Sequence, residues 1–105
     1  MKILLMCGAG MSTSLLVKKM LKSADDMGYN DISIDAAPID ELKKHVDSYD
    51  IFLLGPQVRY REKEVKEVIE SKGKQCDVIS PQIYGRVDGE KALKLALDLA
   101  EKGEN

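Results

Sequence analysis

Sixteen residues at the head of this 105-residue chain, KILLMCGAGMSTSLLV (residues 2–17), leave few folds open. The short run Ile3-Leu4-Leu5-Met6 is apolar without alternation and stops at glycines, as a strand buried on both faces does. Gly8 and Gly10 permit positive φ and a close approach of backbone to a bound group. Ser12, Thr13 and Ser14 are helix-capping residue types, and Leu16, Met20, Ala24 and Met27 follow at helical spacing. The stretch predicts a strand, a glycine loop and a helix N-terminus, with Cys7 at the strand's end.

Such a loop has chemical consequences. Successive backbone amides, together with the unsatisfied N–H groups of a helix start, form a concave anion site. The same groups favour a thiolate over a thiol. An anion cradle holding sulfur suggests a phosphocysteine. Spacing alone is equally compatible with a core cysteine behind a plain strand-to-helix turn, because Gly-rich turns are common.

Downstream, the pattern alternates between strand and helix. A first helix is predicted over Thr13 to Met27, closed at Gly28, with Lys18, Lys19 and Lys22 on its solvent side and Met20 and Met27 in its buried stripe. Asp31–Ala36 alternates polar and apolar residues, which marks an edge strand that Pro38 breaks. Ile39, Leu42 and Val46 give a short second helix carrying the lone His45, read as a surface residue because it follows two lysines on an exposed face; with no cysteine or paired carboxylate near it, it is poor evidence for a metal. Asp50–Leu54 reads as a central strand that ends at Gly55-Pro56. The segment GPQVRYREKE then leads into a third helix starting near Arg61 or Glu62. Its apolar stripe is Val65, Val68 and Ile69, with Glu62/Lys66 and Lys63/Glu67 at pairing distance. Gln75–Ile79 is a fourth strand, Ser80–Gly85 a loop, and Gly89–Lys102 a last helix with Leu93, Ala96, Leu97 and Ala100 on its buried side.

This β-α order argues for one α/β domain over residues 1–105, an open four-stranded parallel sheet with helices on both faces. The edge-like second strand sets the order 2-1-3-4 and a switch point between strands 1 and 3. The loops after Cys7, Leu54 and Ser80 then face one crevice. Cys7 and Cys76 fall at opposite ends of parallel strands, so no disulfide joins them, and Cys76 reads as a packed, unreactive thiol.

Composition narrows the function. Sixteen basic against eighteen acidic residues leave a net charge of −2 without a basic block, which argues against nucleic acid as a partner. No apolar run approaches the roughly 18 residues of a membrane span, and the N-terminus lacks signal-peptide organisation. With no CxxC pair or cysteine framework, a reducing cytoplasmic location is expected. The residues call for no cofactor and no metal, and nothing demands more than a monomer.

CGAGMSTSLLV resembles the phosphorylation loop of the lactose/cellobiose-type IIB components of the bacterial sugar phosphotransferase system. LLGPQ at residues 53–57 and YGRVDG from Tyr84 to Gly89 extend the resemblance over essentially the whole chain. It implies that Cys7 accepts a phosphoryl group from a phosphohistidine of the IIA protein. Cys7 then passes it to a sugar bound by the membrane component IIC, a β-linked disaccharide such as cellobiose, lactose or chitobiose. Gly8, Ala9, Gly10, Met11, Ser12, Thr13 and Ser14 would form the phosphate-binding loop. Gly55, Pro56, Gln57, Arg59, Tyr60 and Tyr84 are candidate crevice or partner contacts, with Arg61 as a further docking charge. The protein would be cytoplasmic, drawn to the inner face of the membrane through IIC.

Two other classes remain to be weighed. Low-molecular-weight tyrosine phosphatases resemble this architecture and also place cysteine on an anion loop, but they require C-x5-R, and here that arginine position is Thr13. A non-catalytic docking module of the receiver type would need an aspartate where Gly55-Pro56-Gln57 stands. A nucleotide P-loop is excluded because Gly10 is followed by Met-Ser.

Overall fold

In the computed structural model, residues 1–8 and 13–104 are described. Strand β1 (Lys2–Cys7) leads to helix α1 (Ser14–Asp26), then to β2 (Ser33–Pro38). A 3-10 turn (Ile39–Glu41) and the one-turn helix α2 (Leu42–His45) precede β3 (Ile51–Leu54). A 3-10 segment (Pro56–Arg61) enters α3 (Glu62–Ser71), followed by β4 (Gln75–Val78), α4 (Pro81–Gly85) and α5 (Gly89–Glu104). The four strands pair in the order β2-β1-β3-β4, all parallel, as the sequence predicts.

The pleat of β1 sorts the core into two layers, because successive side chains point to opposite faces. Ile3 and Leu5 pack with Leu16, Met20 and Ala24 of α1 and with Ala92, Leu93, Ala96 and Leu99 of α5. Leu4 and Met6 pack on the other face with Ile39, Leu42, Val65 and Ile69. All four residues of β3 are buried, which is why this strand reads as continuously apolar. Phe52 is fully buried there, and truncating such a ring costs about 3–5 kcal/mol.

Several local expectations are corrected. Pro38 closes β2 rather than breaking it, since an edge strand tolerates a residue that cannot donate. Met27 is 43% exposed, because it caps α1 instead of extending its stripe. The positive φ of Gly28 (85°) and Gly73 (75°) ends the helices before them, as glycine after a helix commonly does. His45 is half-buried, lying edge-on to Tyr49 at 5.7 Å and 3.5 Å from Glu41. Tyr49 in turn donates its hydroxyl to Asp35 at 2.8 Å; burial first, then that carboxylate, raises its pKa. The buried side of α5 includes Ala92 and Leu99, whereas Leu97 and Ala100 are half-buried. Glu62 and Lys66 pair at 3.3 Å as expected.

The segment read as the loop Ser80–Gly85 is mostly helix α4. Ser80 caps it, accepting the Ile83 N–H at 3.2 Å, and Pro81 occupies its first turn. The helix ends with Val87 at φ 50°, where the Val87 N–H donates to the Tyr84 carbonyl (3.1 Å) and the Asp88 N–H to that of Ile83 (2.9 Å). This is the paired closure usually built on glycine. Asp88 then caps α5 by accepting the Lys91 N–H at 3.1 Å.

Candidate active site

Cys7 is the last residue of β1. It stands opposite Pro38 of β2, but β3 stops at Leu54, opposite Met6. Cys7 therefore overhangs the sheet on its β3 side, at the switch point where open α/β sheets hold ligands. The chain leaving β3 closes that side, with the Gly55 N–H donating to the Met6 carbonyl at 2.8 Å. By the alternation of β1, Cys7 falls on the face covered by α1.

Helix α1 begins there. Thr13 takes its N-cap position, with its carbonyl accepting the Val17 N–H at 2.9 Å, yet its hydroxyl makes no capping hydrogen bond. That hydroxyl lies 3.7 Å from the Cys7 sulfur instead, within reach of a hydrogen bond to sulfur. Both residues are enclosed, Thr13 with 0% and Cys7 with 1% of its surface exposed. Ser14, the first helical residue, is exposed.

Two glycines line the other walls. A Cβ on Gly8 would stand 3.7 Å from Val58 Cγ1. A Cβ on Gly55 would stand 3.6 Å from Cys7 Cβ and only 2.6 Å from the Gln57 side-chain oxygen. The absence of a side chain at Gly55 thus leaves room for the side-chain oxygen of Gln57, itself an exposed residue. Pro56 starts the 3-10 segment that turns Gln57 and the buried Val58 back over the site. Ala9, Gly10, Met11 and Ser12 of the expected loop lie outside the described residues.

The remaining candidates divide. Arg59 and Tyr60 are exposed, Tyr60 with 79% of its surface. Arg61, expected as a docking charge, is tied to Asp40 (2.8 Å) and Glu64 (2.6 Å), joining the turn after β2 to the start of α3. Hydrogen bonds to Glu64 and then Asp40 hold its guanidinium still more firmly protonated than usual. Tyr84 is half-buried in α4 and packs against the apolar layer beneath α1 and α5. Cys76, at the start of β4, is buried, and desolvation pushes its thiol up to about 12, so it stays a neutral core group. No disulfide joins Cys7 and Cys76, as their places at opposite ends of parallel strands predict.

Sequence reasoning passed over Val58 and Pro38 as site neighbours. Val58 had a signal, being the first apolar residue after Gly55-Pro56; the pairing of Pro38 with Cys7 depends on sheet register and has none. Among the described residues there is no cluster of metal-ligating side chains and no helix long and apolar enough to cross a membrane.

Comparison with known proteins gives a consistent result. Residues 2–95 match the family described as "PTS system, Lactose/Cellobiose specific IIB subunit". The cellobiose-specific EIIB component of Lactococcus lactis is 45% identical over 101 residues, covering 92% of this chain and 94% of that protein. The oligo-beta-mannoside-specific EIIB component of Bacillus subtilis is 40% identical over 98 residues, covering 93% and 94%. The solution structure of the cellobiose-specific phosphotransferase IIB component from Borrelia burgdorferi superposes with a TM-score of 0.81 at 40% identity, covering 98% of this chain and 94% of that one.

Proposed function

The chain belongs to the lactose/cellobiose-specific IIB family of the sugar phosphotransferase system, and from that premise we propose that Cys7 is its phosphoryl carrier. The observation that carries the reading is the position of Cys7. It overhangs the sheet at the switch point, with Thr13 at the start of α1 beside its sulfur.

Two in-line displacements follow. In the first, the sulfur attacks the phosphorus of a phosphohistidine on IIA; the S–P bond forms, the N–P bond breaks, and the thiol proton ends on the released imidazole. In the second, a sugar hydroxyl bound by IIC attacks the same phosphorus. The S–P bond breaks, and the hydroxyl proton replaces it on sulfur. Sulfur suits both steps because it is a good nucleophile and a good leaving group. Backbone amides of Gly8 through Thr13 stabilise the equatorial oxygens in each transfer without moving a proton.

The acceptor is a β-linked disaccharide such as cellobiose, lactose or chitobiose, held by IIC, and the carrier works as a monomer recruited to the cytoplasmic membrane face. The named specificities of its relatives differ while their identity to this chain hardly does, which supports assigning the sugar to IIC rather than to this site. Thr13, buried at the position where cysteine phosphatases carry arginine, favours a carrier over a hydrolase.

The test is intact mass after incubation with phosphoenolpyruvate, the general phosphotransferase proteins and a lactose/cellobiose-type IIA, beside Cys7→Ser. One phosphoryl group on the wild type alone, discharged by IIC-containing membranes and sugar, is the expected result. An unlabelled wild type under conditions where IIA is charged overturns it.

A further inference from the structure

We infer that the Thr13 hydroxyl is a positioning group for the sulfur rather than a helix cap: it donates to Cys7 Sγ whenever that atom carries negative charge. The inference deepens the carrier reading of the same site and rests on it. Its basis is an exchange of roles at the start of α1. Threonine at an N-cap normally turns its hydroxyl to the amides of the first turn. Thr13 occupies that position by its backbone, yet its hydroxyl makes no capping bond and stands 3.7 Å from the sulfur. With Thr13 at 0% and Cys7 at 1% exposure, water competes little for either group. A hydroxyl offered to a thiolate in such surroundings is a charge-assisted donor.

The consequence differs between the two transfers. When the phosphoryl group leaves for the sugar, the S–P bonding pair returns to sulfur, and a hydroxyl already within reach of that atom can donate to it and lower the barrier to its departure. When the thiolate attacks phosphohistidine, the same donor favours the anion but draws on its nucleophilicity, so the two effects partly cancel. Thr13 therefore acts mainly on discharge.

Two variants of the full chain separate this from packing. Thr13→Val keeps the shape and removes the hydroxyl; Thr13→Ser keeps the hydroxyl. Thermal unfolding establishes that each is folded. The expected result is a discharge to sugar and IIC slowed at least about tenfold in Thr13→Val, with charging from IIA changed less, so that the phosphorylated form accumulates at steady state. Thr13→Ser restores most of the discharge rate. Alkylation of Cys7 by iodoacetamide, located by peptide mass, supplies a readout independent of phosphoryl transfer. It is slower in Thr13→Val than in the wild type and recovers in Thr13→Ser. Equal discharge and equal alkylation in wild type and Thr13→Val, or a folded Thr13→Ser that fails to recover either, overturns the role of Thr13 while leaving Cys7 as carrier. If even the wild type takes no phosphoryl group, the carrier reading falls, and the alkylation comparison still decides whether Thr13 acts on the sulfur.

Discussion

Gly89 rests directly on the backbone of Lys19: a Cβ there would overlap the Lys19 carbonyl carbon and lie 2.5 Å from its oxygen. This contact sets how closely α5 approaches α1, the helix whose N-cap, Thr13, stands beside Cys7. Backbone atoms cannot step aside as a side-chain tip can. Gly89→Ala is therefore expected to cost on the order of 3 kcal/mol by urea denaturation. A loss below about 0.5 kcal/mol, the range of an ordinary surface substitution, would show that the two helices can separate freely.

Gly55 presents the opposite case. Its backbone, at φ −64° and ψ 150°, suits any residue, and the nearest obstacle to a Cβ is the mobile end of Gln57 at 2.6 Å. Gly55→Ala should fold with less than about 1 kcal/mol of change, because only the carboxamide must move. If the carboxamide contributes to transfer, rates of charging and discharge fall in this variant and in Gln57→Ala alike. A Gly55→Ala protein that transfers normally removes Gln57 from the reaction.

The sheet order was legible because each strand advertises its place: Asp31–Ala36 alternates as an edge does, and Ile51–Leu54 is apolar throughout as a centre does. That order also places the end of β1, and with it Cys7, at the switch point between β1 and β3. Helix α4 was missed although Ser80-Pro81 carries the cap-and-first-turn signature, because the segment is only five residues long and lacks a repeating apolar stripe. What local pattern cannot reveal is a side chain's choice between partners. Thr13 reads as a cap in sequence, and its turn toward sulfur depends on where β1 ends relative to α1. The contact of Gly89 with Lys19 is likewise invisible, since it joins residues far apart in the chain.

Cys76 makes stability depend on alkaline pH. Burial first of all raises its thiol from an ordinary value near 9 to about 12. Between those values the unfolded chain gives up the proton while the folded chain keeps it, so stability is fully present below about pH 9 and declines as pH rises toward 12. Urea melts of wild type and Cys76→Ala between pH 8.5 and 11 should converge by a few kcal/mol over that window. Parallel curves would mean that the thiol ionises without hindrance in the fold.

Asp88 links two helices end to end, following the left-handed Val87 and accepting the Lys91 N–H at 3.1 Å. Asp88→Ala should lower stability by about 1 kcal/mol and Asp88→Ser by less, since serine can still cap. Equal losses would assign the effect to charge near the helix start rather than to the cap.

The outer border of β2 has a further consequence. An open sheet edge is a row of backbone groups that a second chain can extend, the usual beginning of strand-mediated aggregation. Here that border carries exposed Ser33 and Asp35, and level with Cys7 it ends in Pro38, which has no N–H to offer. The end of the molecule proposed to meet one protein after another is thus poorly suited to backbone zippering. Encounters there must be made through side chains and loops, which can let go.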